Sequence, residues 1–314
     1  MVPRPSPGTL ARVGTFEGRL GSGETVVLDG GLSTELERHG ADLRDALWSA
    51  KVLLEDPDLV RAAHLAYFEA GAEVAITASY QASFEGFAAR GLDETAAAGL
   101  MRRSVELARE ARDANGGGYV AASVGPYGAV LGNGAEYTGD YPVGARELGV
   151  FHGRRLEVLD SAGADVLAVE TIPSIVEAST LVRLLDRCVT PAWVSFTCRD
   201  GSTLRDGTPF SEAVSVVATS DRVVAIGVNC TAPQHVGPLV EVARSVGGKP
   251  VVVYPNRGAA WDPERKAWSG PFATDDLAAH VTSWVASGAR LVGGCCGTGP
   301  EDVAAIAREV AITT

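Results

Sequence analysis

The sequence predicts an α/β protein folded as a single (β/α)8 TIM barrel, and three observations carry that prediction. Eight short apolar runs alternate with stretches of helical periodicity along the 314 residues. Runs that stay apolar without alternation read as parallel strands covered on both faces. Polar side chains suited to chemistry stand just after those runs, where barrel active sites are assembled.

The elements follow in order. The apolar runs occupy residues 26–28, 74–77, 119–124, 166–169, 193–197, 223–228, 251–254 and 291–293. Asp56-Pro57 reads as a helix N-cap followed by proline at the first helical position, and Ala62, Leu65, Ala66 and Phe68 continue as an apolar stripe that stops near Gly71. From Asp93 to Ala114, the residues Ala97, Leu100, Met101, Val105 and Ala108 keep helical spacing, and Gly299-Pro300 opens the last helix. No internal duplication or Pro/Gly/Ser-rich linker divides the chain, so residues 25–314 are expected to form the barrel. Residues 1–24 are rich in proline and glycine and are expected to form a flexible N-terminal arm or an added cap. An open doubly wound sheet is the rival fold. Its phosphate-binding glycines would follow the first strand, whereas Gly21-Ser22-Gly23 precedes it and reads as a turn.

Composition limits the partners. The chain has 39 acidic and 27 basic residues and a net charge of -12, which argues against a surface that tracks nucleic-acid phosphates. A negative field favours a cationic small substrate, though weakly at physiological salt. No apolar run approaches the ~20 residues of a membrane span. Prolines at positions 3, 5 and 7 occupy the place of a signal peptide's apolar core. A cytoplasmic protein without membrane contact is expected, and in that reducing compartment five cysteines read as ligands or free thiols. Cys188 and Cys198 read as small packing residues. The oligomeric state leaves no signature.

The strand ends carry the candidate site. Asp29 follows the first strand, Ser79 and Tyr80 the second, Glu170 the fourth, Asn229 and Cys230 the sixth, Asn256 the seventh, and Cys295 with Cys296 the eighth. Cys230 and Cys295 are 65 residues apart, so only the closed fold can bring them together. Three thiolates are a soft ligand set that selects zinc, and a zinc with three protein ligands keeps a fourth position for water or substrate. Neighbouring residues of a regular strand face opposite ways, so Cys295 and Cys296 can share one ion only where the strand breaks. Gly293, Gly294 and Gly297 permit that break. The alternative is a pair of buried or redox-active thiols.

Asp29 and Glu170 together could hold an ammonium group in one cavity, although each alone could equally cap a helix or pair with an arginine. The five histidines fall in expected helices or loops, never at a strand end, so none reads as a ligand and no Ser/His/Asp triad can be built. Three thiolates make a zinc too electron-rich to acidify water strongly, which disfavours hydrolysis. The same zinc suits an incoming thiol, because a coordinating thiol loses its proton. Attack of that sulfur on a sulfonium would expel a neutral thioether and require no general acid.

At this point the motifs Asp29-Gly30-Gly31, Thr77-Ala78-Ser79-Tyr80-Gln81, Ser123-Val124-Gly125-Pro126-Tyr127-Gly128, Glu170-Thr171, Gly227-Val228-Asn229-Cys230 and Gly293-Gly294-Cys295-Cys296 resemble the homocysteine S-methyltransferase family. Leu47-Trp48-Ser49-Ala50-Lys51, Gly86-Phe87-Ala88-Ala89-Arg90-Gly91-Leu92, Gly139-Asp140-Tyr141 and Val253-Tyr254-Pro255-Asn256 are similar to the stand-alone bacterial members that use S-methylmethionine. The resemblance implies a zinc ion on Cys230, Cys295 and Cys296, with homocysteine sulfur completing the shell and Asp29 and Glu170 holding its ammonium group. Ser79, Tyr80 and Asn229 are the further expected substrate contacts. S-methylmethionine is the expected methyl donor, S-adenosylmethionine a lesser one, and methionine the product. Betaine as donor, selenocysteine as acceptor, and a non-catalytic zinc or thiol sensor remain open. Gly297 departs from the pattern, since close relatives often carry arginine there. Segments 127–141 and 256–272 are expected to cover the site, with Trp48, Tyr127, Tyr141, Trp261 or Trp268 facing the sulfonium.

Overall fold

Eight parallel strands close into a ring in the computed structural model, which describes residues 14–42, 49–257, 260–262, 267–269 and 277–313. They are β1 (Val26–Val27), β2 (Val74–Ile76), β3 (Tyr119–Val124), β4 (Val166–Ile172), β5 (Ala192–Phe196), β6 (Val223–Asn229), β7 (Val251–Tyr254) and, after an antiparallel ribbon of β8 (Ala260–Asp262) and β9 (Ala267–Ser269), β10 (Ala289–Val292). The order β1-β10-β7-β6-β5-β4-β3-β2 is completed by a parallel bridge between Leu28 and Val74, which joins the two ends. That closure excludes the open doubly wound sheet. No helix among the described residues is long and apolar enough to cross a membrane.

The helices lie where caps and periodicity place them. Asp56 accepts from the Leu59 amide at 3.1 Å to start Pro57–Glu69, and Asp93 accepts from Ala96 at 2.8 Å to start Glu94–Asn115. Gly116, at φ 88°, ends the latter in the left-handed conformation that glycine adopts without strain. Pro300–Thr313 forms the last helix.

Strand alternation divides the core into two shells. Along β3, Tyr119 and Ala121 point into the barrel while Val120, Ala122 and Val124 pack under the helices; along β4, Val166 and Ala168 point in while Leu167 and Val169 point out. Trp193, Val252, Tyr254 and Leu291 complete much of the inner shell.

The lower end of this inner shell is stoppered by residues from the stretch expected to be a flexible arm or an added cap. Within the stretch 1–24, Phe16–Gly21 form a short helix whose Thr15 hydroxyl accepts from the Gly18 amide at 3.2 Å. Phe16 meets Tyr119 edge-on at 5.5 Å and Trp193 at 6.1 Å, and Leu20 is buried beside it. Burial of each side chain is worth about 1.5–3 kcal/mol, enough to hold a short segment against its conformational entropy. Arg19 locks the helix from outside, donating to Glu73 at 2.9 and 3.1 Å and to the Thr25 carbonyl at 3.1 Å. The rim at the strands' C-terminal ends is thus left as the approach to the barrel's polar interior.

Candidate metal and substrate site

Cys230 follows β6 directly and bends the chain with a φ of 44°, one of two positive values among the described non-glycine residues. The turn is held by the Cys230 amide donating to the Tyr254 carbonyl at 3.2 Å and by the Thr197 hydroxyl donating to the Cys230 carbonyl at 3.2 Å. On the other side, β10 ends at Val292 and the chain leaves the sheet through Gly293 and Gly294. Cys295 donates to the Pro255 carbonyl at 2.9 Å, and its own carbonyl accepts from Thr298 at 3.1 Å, which closes a tight turn around the cysteine pair. A Cβ on Gly294 would lie 2.2 Å from the Thr298 side chain, so the turn tolerates nothing larger there. Both cysteines can therefore face one point despite being adjacent.

The Cys230 and Cys296 sulfurs stand 3.7 Å apart, those of Cys295 and Cys296 3.9 Å apart, and all three lie within 4.8 Å of one another. A tetrahedral zinc with sulfur at about 2.3 Å requires sulfur pairs about 3.8 Å apart, so the spacing fits such an ion. The thiols by themselves cannot all ionise. Contacts from Cys295 and Cys296 hold the Cys230 thiol well below its usual range, and the same contacts with Cys230 push those two thiols well above it. A cation among them would reverse that opposition.

Two buried acids lie beside the sulfurs. Glu170 accepts from the Ser123 hydroxyl and is hydrogen-bonded to Tyr254, yet burial pushes its carboxyl up to about 7. Asp29 accepts from the Ile76 amide at 2.7 Å through Oδ2, while its Oδ1 has no partner among the described residues. Burial, with the charge of Glu170 added, holds Asp29 well above the usual carboxylate range. Both acids lack a cation, and an ammonium group would satisfy them. Glu170 is aimed by its neighbour. Thr171 sits at φ 61°, a strained conformation for a β-branched residue, and Asn229 clamps it by accepting from the Thr171 amide and donating to the Thr171 hydroxyl, both at 2.7 Å.

These groups open on one cavity lined by Tyr80, Tyr137, Glu170, Thr171, Tyr254 and the three cysteines. Asp29 is buried behind Gly30, which lines it. Two other expected contacts do not face it. The Asn229 amide is spent on Thr171 and on the Ser195 hydroxyl at 2.9 Å, and the Ser79 hydroxyl donates to the Ser123 carbonyl at 2.8 Å. Both position the rim from behind. Cys188 and Cys198 are buried thiols in the outer shell, where burial pushes Cys188 up to about 11. A wider hollow at the lower end, between Arg19, Glu73, Arg112 and Asp165, contains no thiol among its described residues, and both of its arginines are already paired with acids.

The segment after β3 differs in detail from expectation. Neither Tyr127 nor Tyr141 lines the cavity: the Tyr141 hydroxyl donates to Glu177, the Tyr127 backbone amide donates to the same carboxylate at 2.6 Å, and the Tyr127 ring packs on Tyr141 and Phe151. His152, on helix Ala145–Asp160, lies 2.8 Å from the same carboxylate and packs inside the fold, as its position on a helix suggests. The aromatic that reaches the cavity is Tyr137, from the turn Ala135–Tyr137, and it hydrogen-bonds Cys230. Its only signal in the sequence is its place in a tyrosine-bearing loop after a strand. Trp48 lies outside the described residues, as do the side chains of Trp261 and Trp268.

The family described as homocysteine S-methyltransferase matches residues 26–310. Homocysteine S-methyltransferase YbgG of Bacillus subtilis is 47% identical over 293 residues, spanning 90% of this chain and 93% of that protein. Selenocysteine methyltransferase of Astragalus bisulcatus is 42% identical over 311 residues, spanning 91% and 92%. The crystal structure of the homocysteine methyltransferase MmuM from Escherichia coli in its metallated form aligns with a TM-score of 0.81 at 45% identity, covering 91% of this chain and 96% of that one.

Proposed function

Because this chain belongs to the homocysteine S-methyltransferase family, we propose that it transfers a methyl group from S-methylmethionine, and less well from S-adenosylmethionine, to the thiol of homocysteine, giving methionine. Cys230, Cys295 and Cys296 would hold one zinc ion, which when bound keeps an incoming thiol deprotonated at neutral pH. The observation that carries this reading is the sulfur spacing of 3.7 and 3.9 Å, set in the same cavity as a buried acid.

The chain's own groups supply binding and orientation. Asp29 and Glu170 take the homocysteine ammonium group, and its positive charge draws the Glu170 proton off by lowering a carboxyl that burial has raised to about 7. Ser123 and Tyr254 fix the direction of that carboxylate, and Asn229 fixes the strained Thr171 beside it. The homocysteine sulfur then attacks the methyl carbon of the sulfonium in line. A new sulfur–carbon bond forms, the old one breaks with its electron pair left on the donor sulfur, and a neutral thioether departs without needing a proton. No histidine is required at the rim for such a step. A cytoplasmic setting belongs to the same proposal, since all five cysteines carry free thiols.

The test is metal content together with methionine formation for the native chain and for Cys296→Ser. Loss of zinc and of turnover in the variant is expected; zinc and turnover both retained would remove the reading. Selenocysteine is a second acceptor to include, because a selenocysteine methyltransferase is 42% identical to this chain. A matrix of donors, betaine among them, against both acceptors ranks the alternatives.

A further inference from the structure

Resting on that reading, we propose that Glu136 recognises the methyl donor by taking the α-ammonium group of a sulfonium amino acid. Glu136 lies in the turn Ala135–Tyr137 and is 3% exposed, yet its Oε2 has no hydrogen-bond partner and it forms no ion pair among the described residues. A buried carboxylate oxygen left without a partner is costly, and native structures rarely keep one unless something else completes it. Arg205, the cation over the Tyr137 ring at 5.7 Å, points its Nε to Thr197 and leaves Glu136 Oε2 without a partner among the described residues.

Glu136 adjoins the methyl-transfer cavity through Tyr137, its neighbour in the same turn, which lines that cavity and hydrogen-bonds Cys230. The charge of Glu136 acts on Tyr80 and Tyr137, and that of Cys230 acts on Glu136; all three of these neighbours line the cavity. Burial pushes the Glu136 carboxyl up to about 7, so an arriving cation would gain a full negative charge to pair with. The position is also rigid. A Cβ on Gly128 would lie 2.6 Å from the Glu136 amide nitrogen, so the turn seats directly on that glycine, and both flanks of the segment are tied to Glu177 through Tyr127 and Tyr141.

Two acid centres, the Asp29–Glu170 pair and Glu136, stand against two amino-acid substrates. The charge of Glu170 raises Asp29, which makes those two acids one pair, whereas Glu136 stands outside that pair on the turn after β3, with Tyr80 and Cys230 near both centres. The reaction brings two amino acids together, each with its own ammonium group, and the second acid centre has no role in holding homocysteine. Tyr137 beside it offers a ring face to the same cation.

The experiment uses the full chain loaded with zinc and two donors, S-methylmethionine and dimethylsulfoniopropionate, a sulfonium acid without the amino group. For the native protein we expect kcat/KM to favour the amino-bearing donor roughly 10- to 100-fold. In Glu136→Gln that preference should collapse to within about threefold, and calorimetric binding of S-methylmethionine should weaken by a matching factor, with zinc content and homocysteine KM unchanged. Glu136→Asp, which keeps the charge but withdraws it by one methylene, should fall between. A native protein indifferent to the amino group overturns the proposal, and so does a Glu136→Gln protein that keeps the preference or loses both donors equally. Methyl transfer from neither sulfonium by the native protein overturns the parent reading and this one with it, whereas normal transfer with an unaltered variant overturns this one alone.

Discussion

The two ends of the barrel are made from the same strands and treat polar groups in opposite ways. At the lower end Arg19 is paired with Glu73, Arg112 lies 3.6 Å from Asp165, and Phe16 and Leu20 fill the space between with apolar surface. At the rim, oxygens of Asp29 and Glu136 have no partner among the described residues, Glu170 is raised to about 7, and Thr171 and Cys230 hold positive φ angles. Unsatisfied acids and left-handed backbone are each unfavourable by themselves, so their concentration at one end marks where ligands are meant to complete the structure. The satisfied end supplies the stability on which the unsatisfied end depends.

That division can be broken by experiment. The largest effect is expected from Phe16→Ala, which should cost about 3–5 kcal/mol in chemical denaturation while leaving kcat/KM of the folded fraction close to native. Methyl transfer lost in protein that is still fully folded would show that the two ends are not separable. A smaller and pH-dependent effect is expected from Glu170. Its folded-state pKa of about 7 lies above the ordinary carboxylate value, so the substrate-free protein binds the proton more tightly than the unfolded chain does. Stability from this group is full below about pH 4.5 and is lost as pH rises through 7, a change on the order of a few kcal/mol. Glu170→Gln should flatten thermal stability between pH 5 and 8 relative to native protein, on the order of what that shift predicts; an unaltered slope would mean that the carboxylate is not desolvated. The smallest effect belongs to Thr15→Ala, which removes the cap of the lower helix at a cost of about 1 kcal/mol with unchanged turnover, read from denaturation midpoints and initial rates.

The rim was more legible in the sequence than the lower end. Apolar runs fix the strands because burial on both faces leaves no room for polar residues, and the residues just after them fall at the rim by topology. This is why Cys230, Cys295, Cys296, Asp29 and Glu170 could be grouped across long separations. Side-chain direction was not legible. Asn229 and Ser79 stand at strand ends but brace Thr171, at its positive φ, and the Ser123 carbonyl, contacts that no spacing rule reveals. The Tyr141 hydroxyl goes to Glu177, on another βα unit, and the Tyr127 ring to Tyr141 and Phe151 instead of the cavity. At the lower end, proline and glycine content suggested a flexible arm, while the decisive signal was smaller: a Thr15 cap and apolar residues four apart at Phe16 and Leu20.

Glu177 receives both flanks of the loop that carries Glu136 and Tyr137, together with His152 from the following helix. A span moored at each extremity to a single anchor behaves as an interchangeable cassette. Its middle can be lengthened, shortened or recoded with modest entropic consequence, because the distance it must bridge is already fixed. Changes of donor preference can therefore accumulate between the two moorings while the sulfur cluster opposite them stays undisturbed.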